Sequence, residues 1–202
     1  MERRAAHMIL KSRGLNSVHS SYKQNQYGFV FRSIIRAYKP MRAVELGVLD
    51  GYSTYHIGVG LKEYGGRLQS YDLFEDYPYR HSDYEHIKHF FKDCSNVELI
   101  KGDAFEAHKN YENRSIDFLH VDLSNTGDIV KRIIEDWDSK IVYGGLILIE
   151  GGTEERDTID WMIKYKKPSI KRELETNEII RNNYVFGTYL KFPGLTTLLK
   201  KR

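Results

Sequence analysis

The chain has 202 residues, 41% of them hydrophobic, which fits one domain of ordinary size with a core large enough to be stable without staples. Its 31 basic and 28 acidic residues leave a net charge of +3, so the total creates no strong field for nucleic acid. The single cysteine, Cys94, excludes an intramolecular disulfide and suits a reducing compartment such as the cytoplasm, and apolar runs such as Leu146 to Ile149 fall far short of the about 20 residues that span a bilayer.

Residues 1–22 read as a leader, basic at its start but without the apolar stretch of a secretory signal. It could fold over an active site as a lid, bringing His19 with it, or stay disordered, and the sequence leaves both open. A single domain is expected over residues 23–202. Gln24 to Tyr38 predicts an amphipathic helix with Phe29, Phe31, Ile34 and Ile35 available for burial, stopped by Pro40. Arg42 to Leu46 is the first strand. It breaks into a glycine turn, and a helix opened by Ser53 or Thr54 as cap runs to Gly65-Gly66. Arg67 to Tyr71 is the second strand, closing on Asp72. The polar, Tyr-rich segment after it leads to a helix over Asp83 to Lys92, and Val97 to Ile100 is the third strand.

Ser115 to Val121 predicts a fourth strand ending at Asp122, followed by a helix over Asp128 to Trp137. Ile141 to Ile149 is the fifth, interrupted at Gly144-Gly145, and Thr153 to Lys166 is a further helix. Tyr184 to Leu190 and Leu195 to Lys200 then read as two strands joined by a tight turn at Phe192-Pro193-Gly194, with no helix between them. Alternating strands and helices imply an α/β fold: a Rossmann-like, doubly wound, seven-stranded sheet, mostly parallel, with an antiparallel C-terminal hairpin. The basic residues Lys164, Lys166, Lys167, Lys171 and Arg172, and the Lys200-Lys201-Arg202 end, read as solvated surface before phosphate contacts.

The turn Val44-Glu45-Leu46-Gly47-Val48-Leu49-Asp50-Gly51-Tyr52-Ser53-Thr54 carries the functional signal. Gly47 lets the backbone leave the strand in a conformation closed to residues with a Cβ, and Gly51 permits close approach of a ligand. The spacing matches neither the G-x-G-x-x-G of a dinucleotide fold nor a P-loop, which needs Lys-Ser or Lys-Thr after its last glycine. Glu45 and Asp50 suit a cationic ligand better than a pyrophosphate. This pattern of acidic residue, glycine and second glycine resembles motif I of the class I S-adenosylmethionine-dependent methyltransferases. With Gln24-Asn25-Gln26-Tyr27-Gly28 before it and the C-terminal hairpin, the chain is similar to the small O-methyltransferase branch that includes catechol and caffeoyl-CoA enzymes.

The resemblance implies S-adenosylmethionine as cofactor. Glu45, Gly47 and Gly51 would line its methionine end, with Ser53 of the same loop, and Asp72 would accept from the ribose hydroxyls. Asp103, followed by Ala104, would approach the adenine, and Asp103 could equally cap a helix starting at Ala104. Asp122 at the end of strand four and Glu150 at the end of strand five would face the cofactor and serve transfer, as base or acceptor-orienting group. Metal-dependent members carry a metal-binding aspartate at Asp122, a lysine at Asn125 and an aspartate-asparagine pair at Glu150-Gly151. Asp122 and Glu150 remain as oxygen ligands, so the resemblance leaves a divalent cation open. His120 is expected as a hydrogen-bonded core histidine, and His81, His86 and His89 as a solvated helix face rather than a zinc site. Tyr71, Phe74, Tyr77 and Tyr79 either wall a ligand pocket or pack as a surface loop.

The function that follows is methyl transfer to a hydroxyl of a small-molecule acceptor, in an enzyme with no membrane partner and, on base rates, a homodimer. Two rivals share the fold: a nucleic-acid methyltransferase using the basic clusters, and a non-catalytic binding module. A nicotinamide oxidoreductase is the third.

Overall fold

The computed structural model describes residues 20–202. Residues 1–19 of the leader, His19 among them, lie outside the described residues. Seven strands form one sheet: β1 (Arg42–Leu46), β2 (Arg67–Asp72), β3 (Val97–Lys101), β4 (Ile116–Val121), β5 (Ile141–Glu150), β6 (Tyr184–Tyr189) and β7 (Leu195–Lys200). Their spatial order is β3-β2-β1-β4-β5-β7-β6. The first five strands run parallel, and β7 pairs antiparallel with both β5 and β6. This is the Rossmann-like α/β sheet with its terminal hairpin. Strand order reverses between β1 and β4, and open α/β sheets bind ligands at the carboxyl ends of the strands flanking such a switch.

Helices cover both faces. α1 (Ser21–Gln24), α2 (Gly28–Tyr38), α3 (Tyr52–Lys62) and α4 (Tyr84–Phe91) contribute Tyr22, Phe31, Ile57, Leu61 and Phe90 to a core over Ala43, Leu68, Phe118 and Leu148. On the other face, α5 (Gly127–Trp137), α8 (Ile170–Thr176) and α9 (Glu178–Asn183) bury Ile133, Trp137, Leu174 and Ile180 against Val44, Leu119, Val121 and Ile147. The central strands are buried on both faces, which is why their sequences read as apolar runs rather than alternations. None of the described helices is long and apolar enough to cross a membrane.

Several boundaries depart from the sequence expectation. The helix over Gln24 to Tyr38 is two helices, because Gln26 turns left-handed (φ 61°) and the Tyr27 N–H closes back on the Tyr22 carbonyl. Phe29, expected inside, is 40% exposed and stacks under Arg32, while Phe31 and Ile35 are buried. Tyr22, grouped with the leader in the sequence reading, is 1% exposed in the core. α3 begins after Gly51, so neither Ser53 nor Thr54 caps it; both lie inside the helix, and Thr54 spends its hydroxyl on Glu45. No α-helix starts at Ala104: a turn leads into a 3₁₀ helix at Ala107–Asn110. The helix over Thr153 to Lys166 is broken into α6 (Glu154–Asp157) and α7 (Asp160–Lys164), where Thr158 Oγ1 donates back to the Glu154 carbonyl.

β5 continues through Gly144-Gly145. The pair forms a bulge, so that Ile116 faces Ile141 while Phe118 faces Leu146. α8 and α9 were not anticipated, although Ser169 and Asn177 cap them from a segment that reads as basic and polar.

Candidate functional site

A cavity of about 260 Å³ opens at the carboxyl ends of β1, β2 and β4. Gly47, Asp72, Asp103, Ala104 and Asp122, all singled out from the sequence, line it together with Leu49, Tyr77, Phe105, Leu123 and Ile129. Gly47 has φ 92°, and a Cβ there would collide with the Asp122 carbonyl oxygen. Any side chain would push apart the β1 and β4 ends that the Asp122 N–H to Leu46 carbonyl bond joins at 2.9 Å.

Asp72 organises the loop from the neighbouring strand. Its Oδ2 accepts from the Val48 and Leu49 amides at 2.7 and 3.0 Å, and its Oδ1 from the Phe74 amide at 2.8 Å. A carboxylate offers about four lone-pair positions, so one remains for a ligand hydroxyl in the cavity. Asp103 Oδ1 accepts from the Phe105 amide at 2.9 Å, which shapes the turn, and the residue is exposed.

Glu45, Gly51, Ser53 and Glu150 do not line this cavity. Glu45 on β1 is fully buried, accepting from Thr54 Oγ1 (2.6 Å) and Ser70 Oγ (2.8 Å) and facing His120 Nδ1 (3.1 Å). Gly51 serves packing: a Cβ there would lie 2.9 Å from the Phe91 ring. Asp50, expected to favour a cationic ligand, is held by Ser82 Oγ at 2.7 Å and Arg80 at 3.4 Å. His120 is the hydrogen-bonded core histidine expected, and His86 and His89 are exposed. His81 reaches the cavity wall, its Nδ1 at 2.7 Å from the Tyr79 carbonyl. The aromatics divide: Tyr77 lines the cavity, Tyr71 and Phe74 are core, and Tyr79 is exposed.

Beyond the cavity wall lies a buried polar chain. Tyr22 Oη stands 3.4 Å from His120 Nε2, and His120 leads to Glu45. Burial, with Asp122 and Glu150 close by, pushes the Tyr22 phenol well up. Asp122 is half-buried on the cavity wall, with Glu150 close behind it. Burial raises Asp122 far above the ordinary carboxylate range, and the charges of Glu150 and Glu45 raise it further. Glu150 is raised by burial too, against the pull of Arg156, whose Nε lies 3.4 Å from its Oε1. Burial thus pushes both carboxyls toward the protonated form, and the Arg156 guanidinium draws Glu150 back toward ionisation. Sequence reasoning missed Tyr22 and Arg156. Arg156 follows Glu150 by six residues, and Thr153 capping its amide was the only local signal.

A divalent cation does not fit this donor set. Glu150 already faces a cation, Gly151 offers no side chain, and Asn125 Nδ2 donates to the Val121 and Glu150 carbonyls at 3.2 and 3.0 Å. Among the described residues no group of three or more His, Cys, Asp or Glu is arranged to hold a metal.

Residues 44–150 match the model of a family described as a methyltransferase domain. No curated protein matches the chain. Among solved structures, the chain is similar to an O-methyltransferase from Bacillus cereus in complex with S-adenosylhomocysteine, at 16% identity and a TM-score of 0.71, covering 96% of this chain and 90% of that one. It is also similar to the O-methyltransferase TomG from Streptomyces achromogenes, bound to S-adenosylmethionine and involved in tomaymycin synthesis (16% identity, TM-score 0.67, covering 98% and 89%). A third is a putative caffeoyl-CoA O-methyltransferase from Staphylococcus aureus (14% identity, TM-score 0.62, covering 98% and 91%). At these identities the likeness is one of fold.

Proposed function

The chain belongs to the methyltransferase-domain family, and from that premise we propose that it moves a methyl group from S-adenosylmethionine to a hydroxyl oxygen of a small molecule. The observation that carries this reading is the convergence of Gly47, Asp72, Asp103 and Asp122 on one cavity at the switch point of the sheet. The residues suit the cofactor. Asp72 retains a lone pair for a ribose hydroxyl, Asp103 an oxygen for an exocyclic amine, and Phe105, Leu123 and Ile129 supply apolar walls for a flat base. The cavity has room for the nucleoside half, and the methionine half would run along the bare backbone at Gly47 toward Asp122.

When bound, S-adenosylmethionine supplies an electrophilic methyl group. The chain's own residues align the acceptor and receive its proton. A hydroxyl at the Asp122 end would pass its proton into the Asp122–Glu150 pair, which lies against Arg156. Such a buried pair is a stronger base than a solvated carboxylate, because both of its members are raised.

Calorimetric titration with S-adenosylhomocysteine tests the reading, with NAD as control. Micromolar affinity for the first and none for the second is expected. Absence of S-adenosylhomocysteine binding would leave a chain with the fold and without the reaction.

A further inference from the structure

A positive charge beside the carboxyl pair eases removal of the acceptor's proton, and we propose that Arg156 provides it, standing at the Asp122–Glu150 pair where a divalent cation would otherwise stand. The inference rests on that reading of the site, and it makes this chain's site independent of metal.

The geometry carries it. Arg156 is 5% exposed, and its Nε approaches Glu150 Oε1 at 3.4 Å. Its guanidinium carbon lies 5.2 Å from the Trp161 ring, which walls it on one side. Thr153 Oγ1 accepts the Arg156 amide at 3.1 Å, so the short helix after Gly152 is fixed with the side chain turned back to the strand end. Arg156 Nη1 is buried without a hydrogen-bond partner. A buried guanidinium edge left unsatisfied is costly, and an acceptor oxygen would satisfy it. That donor offers the acceptor what an open position on a metal would offer: a fixed positive centre that favours the oxyanion as the proton leaves.

Two further features close the site to a metal. Gly151 has φ 106°, and a Cβ there would lie 2.7 Å from Ile170 Cδ1, so a ligand-bearing side chain would be strained and would have to displace the Ile170 methyl. A divalent ion on Glu150 would stand within a few ångströms of the guanidinium and be repelled by it. Asn125 Oδ1 is buried without a partner, and it is the oxygen that would join Asp122 and Glu150 in a metal site if the proposal were wrong.

The test is Mn²⁺ binding by the full chain, read by electron paramagnetic resonance in the presence of S-adenosylhomocysteine. Calorimetry on the same samples reports whether the cofactor site is intact, which separates failure of this proposal from failure of the methyltransferase reading. Wild type is expected to bind no Mn²⁺ at millimolar concentration. Arg156→Ala, which exposes the carboxylate pair, should bind Mn²⁺ at least about tenfold more tightly than wild type, and Arg156→Lys, which restores a charge, should be silent again. Should Arg156→Ala not fold, Arg156→Gln keeps the bulk, removes the charge and carries the same comparison. Stoichiometric Mn²⁺ binding by wild type, lost in Asp122→Asn, would overturn the proposal. So would an Arg156→Ala or Arg156→Gln chain that binds S-adenosylhomocysteine and remains blind to Mn²⁺.

Discussion

The carboxyl ends of β2 and β4 flank the same strand and open on the same cavity, each with an aspartate, yet the two carboxyls live in opposite surroundings. Asp72 at the end of β2 meets three backbone amides. Asp122 at the end of β4 meets another carboxyl. A carboxylate given N–H donors is a fixed anion that shapes a loop and receives hydroxyls. One pressed against a second carboxyl keeps a proton and can exchange it. The same residue type is thus braced by backbone amides on one side of the switch point and set beside another acid on the other, and the neighbours decide which.

The largest expected effect falls on the proton side. Asp122→Asn removes the group that receives the acceptor's proton, so turnover should drop by about 10²–10⁴-fold with S-adenosylhomocysteine affinity little changed. The same variant should be no less stable at neutral pH. A carboxyl raised in the folded state contributes stability that is full below its unfolded pKa and is lost as pH rises through the folded one, so removing Asp122 removes that loss. Equal losses in turnover and cofactor affinity would merge the two sides into one binding role.

Gly47→Ala strikes the joint between them. A left-handed backbone costs a residue with a Cβ about 1–2 kcal/mol, and forcing the methyl onto the Asp122 carbonyl adds about 1–3 kcal/mol of overpacking. Thermal or urea unfolding should register the sum and calorimetry should show weakened S-adenosylhomocysteine binding. Wild-type behaviour in both would mean that the strand ends are not coupled through this glycine.

Asp72→Ala tests the binding side, and should weaken S-adenosylhomocysteine by roughly 1.5–3 kcal/mol, the worth of hydrogen bonds to a charged group, while freeing the Val48 and Leu49 amides and loosening the loop. An unchanged affinity would leave Asp72 as a loop brace alone.

The smallest effect lies away from the cavity, at His56 on α3. Burial, helped by Arg32, lowers it to about 3, with its Nδ1 left unpartnered. Its neutral form is the folded one, so stability is full above about 6.5 and falls as pH drops toward 3. The Asp122–Glu150 pair slopes the other way. In Asp122→Asn, melting temperature should therefore rise with pH more clearly over this window than in wild type, and His56→Gln should flatten the rise. A flat profile in Asp122→Asn would show that His56 is hydrated in solution.

Strands were legible in the sequence because burial on both faces writes them as apolar runs, and Asp72, Asp103 and Asp122 were legible as residues at strand ends. The C-terminal hairpin showed through its turn residues for the same local reason. Misread elements were those set by partners far along the chain. Glu45 looks like a ligand-facing acid beside a glycine turn, but on the pleat it points the other way, toward Thr54, Ser70 and His120. The helix over Gln24 to Tyr38 has a continuous apolar pattern, and only the burial of Tyr22 against His120 shows why the chain must turn at Gln26.

Local periodicity and glycine placement by themselves determined the fold class, the strand order's raw material and the loop at the switch point, since each depends on neighbours within a few residues. Tertiary structure decided the rest: that Asp122 and Glu150 are brought together in a buried setting, that Arg156 faces Glu150, and that Tyr22 lies behind them. Electrostatic character is a property of what surrounds a charge, and here the surroundings come from β4, β5, α1 and α6, segments that meet only when the sheet has formed.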